Sequence, residues 1–161
     1  MYMHLSGMSE TQSKNLAMLP CLCGSMRRTA RALTQLYEKA LTPSELTATQ
    51  MTILQVLSRA GEVTQGRLGE MLAMDSTSLT RTLAVMSRKG WMAERRGTDR
   101  RERWLSLSTA GRRKLNSAEP SWEQVQRRVR RELGADGWDQ LMGLTQRLTV
   151  AFAKQDRVAE S

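Results

Sequence analysis

Cysteine, histidine and acidic residues are all scarce in this chain of 161 residues, which has 2 Cys, 1 His and 16 Asp+Glu against 25 Lys+Arg. Cys21, Cys23 and His4 cannot supply a structural zinc site, and two thiols do not make the disulfide framework of a small secreted domain. No apolar run approaches the roughly 18 residues needed to span a bilayer. The N-terminus has no apolar signal core, so the expected location is the cytoplasm. Also missing are a nucleotide-binding glycine loop, a cofactor motif and a nucleophile-base constellation, which argues against an enzyme and leaves no cofactor or metal to expect. The deficit of acid has a positive consequence. The net charge is +9 and the pI about 10.5, which implies an anionic partner, nucleic acid first and an anionic membrane surface second.

This length suits one domain with a real core, with or without flanking dimerisation helices. Residues 1–15 mix Gly, Ser, Thr and Met without period and are expected to form a flexible leader, in which Met8 offers a second start. From Leu19 the pattern sharpens. Leu19, Leu22, Met26, Ala30, Leu33, Tyr37 and Ala40 recur at three- and four-residue spacing, which predicts a long helix with Pro20 in its first turn and Pro43 beyond its end. Arg27, Arg28 and Arg31 lie on its other face. Thr47-x-x-Gln50 has the form of a capping box, opening a helix with Met51, Leu54 and Leu57 inside and Gly61 as its stop.

The stretch from Thr64 to Leu107 carries the densest pattern. Thr64 is a fitting N-cap for a short helix with Leu68, Met71 and Leu72 inside, and the pattern stops at Ala73-Met74. Asp75 and Ser76 cap a second helix whose apolar stripe is Leu79, Leu83 and Met86, with Gly90 as its stop. At 100° per residue, Thr77, Ser78, Arg81, Val85 and Arg88 point away from that stripe. Trp91 to Arg95 and Arg101 to Leu107 have strand composition, with turn residues Arg96 to Arg100 between them. Arg95, Arg96, Arg100, Arg101 and Arg103 crowd this hairpin, an arrangement that repels itself unless a polyanion lies opposite. Two short helices followed by a basic hairpin predict a winged helix-turn-helix that reads duplex DNA. The second helix would present Ser76, Thr77, Ser78, Thr80, Arg81 and Arg88, and the hairpin Arg95, Arg96, Arg100 and Arg101.

After the hairpin, Ser108 is placed to cap a long helix with Leu115, Ala118, Trp122, Val125 and Val129 on one seam, bent by Pro120 and broken by Gly134 to Gly137. A last helix from Asp136 carries Trp138, Leu141, Met142, Leu148 and Phe152. Long apolar-sided helices flanking a compact reader predict a homodimer, with Trp122 at or beside the interface. The fold class expected is mainly α with a small β-hairpin wing: residues 16–161 as one domain, its winged core at about 46–107 and its dimerisation helices at about 16–41 and 108–156.

Leu46-Thr47-Ala48-Thr49-Gln50, Leu68-Gly69-Glu70-Met71-Leu72, Asp75-Ser76-Thr77-Ser78-Leu79-Thr80-Arg81, Lys89-Gly90, Asp99-Arg100-Arg101 and Leu107-Ser108-x-x-Gly111 resemble the MarR family of bacterial transcription regulators. The resemblance covers about residues 16–155. It implies that Asp99 braces the wing and Arg101 enters the minor groove, and that the protein is a dimeric repressor released by a small aromatic acid or phenol. Glu94 stands where the family usually carries an arginine.

Cys21-Leu22-Cys23 is the remaining unusual chemistry. Residues two apart on a helix point about 200° apart, so these thiols do not readily bond in place or chelate a metal as a pair. Cys23 at the edge of the apolar stripe reads either as ordinary packing or as a reactive thiol near Arg27. Its spacing to Tyr37 is similar to that in the organic-hydroperoxide sensors of the MarR family, although Arg27 replaces a tyrosine expected there. That resemblance implies an oxidant signal sensed by Cys23 with Tyr37. A thiol-dependent redox protein using Cys21 and Cys23, and a basic protein of the membrane surface, are the alternatives to a DNA reader. The concentration of charge on a hairpin, rather than on an amphipathic terminal helix, disfavours the membrane.

Overall fold

The computed structural model describes residues 21–99 and 102–153. The expected leader, His4, Leu19, Pro20, Arg100 and Arg101 lie outside the described residues. The chain divides into two compact units, one up to Leu36 and one from Tyr37 onward. The described part of the first is Cys21 followed by most of helix α1 (Leu22–Leu41), in which Leu22 and Met26 are exposed.

In the second unit α1 ends at the buried Leu41, with Pro43 beyond its end as predicted, inside a single 3₁₀ turn, Thr42–Ser44. Helix α2 (Ala48–Ala60) starts at the expected capping box: the Gln50 N–H donates to Thr47 Oγ1 and the Thr47 N–H to Gln50 Oε1, both at 3.1 Å. This reciprocal pairing explains why the polar Gln50 tolerates burial. Met51, Ile53, Leu54 and Leu57 of α2 are fully buried and form the centre of the core.

Strand β1 (Glu62–Thr64) follows, then α3 (Gln65–Leu72), α4 (Ser76–Arg88), β2 (Met92–Arg96), β3 (Arg103–Leu107) and α5 (Thr109–Ala153). The sheet has three antiparallel strands in the order β1-β3-β2, rather than the two of a simple hairpin. The third was not legible because three residues, Glu-Val-Thr, carry too little alternation to announce a strand. β2 begins at Met92, one residue later than expected, because the Trp91 N–H closes the C-terminus of α4: it donates to Met86 O at 3.0 Å, and Gly90 takes φ +69°, a Schellman closure of the helix.

Helices α3 and α4 are clamped closely. Ala73 adopts a left-handed conformation (φ +49°), the Met74 N–H donates to Gly69 O, and Asp75 caps α4 by accepting from the Ser78 N–H at 2.8 Å. A Cβ on Gly69 would stand 3.3 Å from Leu79 Cδ2, so a glycine there lets the two helices meet. Leu79, Leu83 and Met86 are buried as the stripe predicted, whereas Met71, expected inside, is 47% exposed. In α5 only Gly134 departs from helical dihedrals (φ 70°, ψ 169°), so the predicted break falls on one residue, and Pro120 lies within the helix without such a departure. Leu115, Ala118 and Val125 are buried. Met142 and Phe152, expected on a shared apolar face, are more than half exposed.

Candidate nucleic-acid interface

Because its buried stripe packs on the core, α4 turns Ser76, Thr77, Ser78, Thr80, Arg81 and Arg88 outward, and all six are exposed. Its N-terminus is fixed by Asp75, whose carboxyl is held below the ordinary carboxylate range by the Ser78 N–H first of all. Gln65 at the start of α3 donates from Nε2 to Thr80 Oγ1 at 3.0 Å, which ties α3 to the outward face of α4. Sequence reading did not find Gln65, since nothing in its neighbours marks a contact fifteen residues on.

The base of the wing is locked to α4 and α5 by the Gly90, Trp91, Ser108 and Gly111 quartet. Ser108 Oγ donates to Gly90 O at 2.6 Å and accepts from the Gly111 N–H at 2.9 Å, while the Ser108 N–H donates to Trp91 O. These bonds give physical content to the Lys-Gly and Leu-Ser-x-x-Gly motifs: they join the end of the outward helix to both ends of the hairpin. Lys89 Nζ and Lys114 Nζ lie 4.8 and 5.2 Å from the centroid of the Trp91 ring.

The register pairs Arg95 with Trp104 and Arg96 with Arg103. Arg95, expected to reach outward, is turned back over the sheet and grips Glu62 with both Nε and Nη2, at 2.6 and 2.5 Å, while its guanidinium lies 5.0 Å from the Trp104 ring centroid. The pairing lowers the pKa of Glu62 and raises that of Arg95. Arg103 pairs with Glu94 on the opposite face, so the glutamate that stood in place of an arginine neutralises a wing cation. Arg96 is exposed and forms no ion pair among the described residues. The hairpin tip is closed by Gly97 N–H to Glu102 O and Glu102 N–H to Asp99 O, both at 2.9 Å. Arg100 and Arg101 follow Asp99 in sequence and are not described.

The candidate thiols belong to the first unit. Cys21 and Cys23 are both exposed and not in a disulfide, and Arg27 Nη2 lies 3.8 Å from Cys23 Sγ. In the second unit Tyr37 stacks on Trp122 with ring centroids 4.3 Å apart, and burial raises its pKa. Trp122 thus packs on Tyr37 and against the core of the second unit. Among the described residues no group of three His, Cys, Asp or Glu side chains is placed to hold a metal ion, and no helix is long and apolar enough to cross a membrane.

Two short helices joined by a tight turn, a three-stranded sheet ending in a basic hairpin, and a long helix behind them define a winged helix-turn-helix protein. A family model described as MarR family matches residues 44–102. The chain is 37% identical to the Mycobacterium tuberculosis transcriptional regulator MosR crystallised in complex with DNA, with a TM-score of 0.74 over 81% of this chain and 95% of that one. A mutant MarR from E. coli complexed with operator DNA has the same fold at 23% identity, with a TM-score of 0.71 over 79% of this chain and 92% of that one. An uncharacterized HTH-type transcriptional regulator, YwoH of Bacillus subtilis, is 27% identical over 104 residues, which are 65% of this chain and 71% of that protein. The chain belongs to the MarR family of transcriptional regulators.

Proposed function

We propose that the protein is a dimeric, sequence-specific regulator of transcription that binds duplex DNA, acting as a repressor until a small molecule or an oxidant releases it. The observation that carries this reading is the rigid joining of the exposed hydroxyl-and-arginine face of α4 to an arginine-bearing wing through Gly90, Trp91, Ser108 and Gly111. A helix with short donors and a guanidinium suits base edges and phosphates in a major groove, and a narrow basic ribbon suits the adjoining minor groove. Ser76, Thr77, Ser78, Thr80, Arg81 and Arg88 are assigned to the first task. Arg96, Arg100 and Arg101 are assigned to the second, with Asp99 as the brace. The MosR and MarR structures named above, each with DNA, support the same reading.

A twin is the second element of the proposal. Leu22 and Met26 in the first unit are exposed, and so are Leu133, Met142, Leu144, Val150 and Phe152 in the second. This much large apolar surface on terminal helices favours burial against a second copy, and two-fold pairing is the commonest way to provide one. Such a dimer would bind a near-palindrome with half-sites roughly 34 Å apart. The test is selection of duplexes from a random-sequence pool by the purified protein, followed by titration of the recovered sequence. A shared motif with two-fold symmetry is the expected result, and recovery of unrelated sequences contradicts it.

The exposed Cys23 beside Arg27 favours an oxidant over a small aromatic acid or phenol as the releasing signal. The sulfur, as thiolate, would attack one oxygen of an organic hydroperoxide and break the O–O bond. The departing alkoxide takes a proton from water, leaving an alcohol and a sulfenic acid on Cys23. Titration of wild type, Cys23→Ser and Cys21→Ser before and after treatment with an organic hydroperoxide tests it. Retained affinity only in Cys23→Ser supports Cys23 as the sensor, and equal loss in wild type and Cys23→Ser, or no response in wild type, excludes it. Steady turnover of peroxide with a thiol reductant would instead point to the thiol-dependent redox protein.

A further inference from the structure

We infer that Glu62, Arg95, Trp104 and Glu102 form a strut that sets the attitude of the wing, and that Arg95 is a positioning residue rather than a contact to DNA. The inference rests on the DNA-binding reading for its consequence, but its geometry stands alone.

Glu62 pairs with Ser106 across β1 and β3, and Ala93 pairs with the same Ser106 across β3 and β2. Side chains two residues apart on a strand share a face, so Arg95 lies on the face of Ala93, and Trp104 on that of Ser106. The Glu62–Arg95 pair therefore crosses the central strand and ties together the two outer strands, which share no backbone hydrogen bonds. The fork of Arg95 meets the carboxylate through two nitrogens, a geometry that fixes direction as well as distance. Trp104 stands beneath the guanidinium and donates from Nε1 to Glu102 Oε2 at 3.4 Å. Glu102 in turn closes the hairpin tip with Gly97, where a Cβ would stand 2.6 Å from Glu102 Oε2 and 3.0 Å from Trp104 Nε1. An unbroken line of contacts runs from β1, which leads directly into α3, to the residues flanking Arg100 and Arg101.

An exposed ion pair adds little to global stability, so the strut's effect is local. A three-stranded ribbon whose outer strand β2 is held only by β3 can twist and tilt, and Arg100 and Arg101, assigned to the minor groove, lie in sequence between its strands β2 and β3. Holding β2 to β1 across the sheet removes that freedom before DNA arrives, which lessens the ordering cost of binding. Arg95 is committed twice over, to Glu62 and to the indole. A phosphate contact would have to compete with a carboxylate already in bidentate register.

The two roles predict opposite signs for one substitution. If Arg95 contacts DNA, removing Glu62 frees a cation and deletes an anion, and affinity rises. If the strut holds, Glu62→Ala weakens binding even though it makes the protein more positive. The experiment titrates wild type, Glu62→Ala, Arg95→Ala and the double variant on a duplex selected by the wild-type protein, across a series of salt concentrations. Each single variant is expected to lose about tenfold in affinity, the double variant no more than the worse single, and the salt slope to stay that of wild type. Unchanged or tighter binding by Glu62→Ala, additive losses, or a slope lowered by about 0.9 in Arg95→Ala would overturn the inference. Hydrogen exchange on the DNA-free protein keeps the two readings separable. The Gly97 and Glu102 amides are expected to exchange faster in Glu62→Ala, and an unchanged rate overturns the strut even where DNA binding itself is established. If the wild type selects no duplex, the DNA reading fails while accelerated exchange still identifies the strut.

Discussion

Gly111 is pressed against the backbone of Trp91 so closely that a Cβ at position 111 would stand 1.9 Å from the Trp91 carbonyl oxygen. That oxygen is backbone and already accepts from the Ser108 N–H, so it cannot withdraw without opening the junction, and Leu107 Cδ1 would stand 2.8 Å from the same Cβ. Gly111→Ala is therefore expected to force the start of α5 away from the wing and to destabilise the fold by about 3 kcal/mol. Thermal and urea melts check this. A variant as stable as wild type would show that the junction yields more freely than its contacts indicate.

The cap of α4 gives a pH signature. The folded pKa of Asp75 lies below its unfolded value, so the ionised cap contributes stability that is fully present above the unfolded carboxylate pKa and is lost as pH falls through the folded value. Asp75→Asn keeps an acceptor for the Ser78 N–H without the charge. Wild type is expected to melt above Asp75→Asn at neutral pH, with the gap closing in acid below the carboxylate range. A gap that persists unchanged in strong acid would assign the effect to shape rather than charge.

The stacking of Tyr37 on Trp122 separates folding from pairing. Trp122→Glu places a charge against the core and is expected to unfold the protomer. Leu144→Glu and Phe152→Glu alter exposed positions, so they are expected to dissociate a dimer while leaving the protomer folded. Sedimentation beside thermal melts distinguishes these outcomes. Dimers that survive both surface variants would place the interface elsewhere.

Among the wing arginines, Arg101→Ala is expected to weaken DNA binding by about 1 to 3 kcal/mol, partly in a sequence-dependent way. Arg96→Ala is expected to weaken all duplexes nearly alike and to lower the salt slope by about 1. Equal affinity of wild type and Arg101→Ala for the selected duplex would remove that residue from the interface.

Most of the helical framework was legible because each signal is local. The Thr47/Gln50 box, the Asp75 cap, the Leu79, Leu83 and Met86 stripe, and Gly90 all act within a turn or two of themselves. The candidate site was legible as a face of α4 and a cluster of arginines, but not in the partners of those arginines. Glu62 lies 33 residues from Arg95 and meets it only because β1 joins the sheet, a three-residue strand with no pattern of its own. Thr80 was legible as part of the outward face of α4, but its bond from Gln65, fifteen residues away on the preceding helix, was not. Periodicity placed Met71 inside and put Met142 and Phe152 on a shared apolar face; it reports the apolar face of a helix but not whether the same chain covers it.

The central claim is that α4 and the wing together grip duplex DNA, and the salt dependence of binding tests it most directly. Affinity for a selected duplex, for a scrambled duplex and for the corresponding single strand would be measured across a range of salt concentrations. The account predicts tight binding to the selected duplex only, with log affinity falling linearly against log salt at a slope of several units, because arginines from both protomers displace condensed counterions. Equal affinity for all three, or binding indifferent to salt, would contradict it.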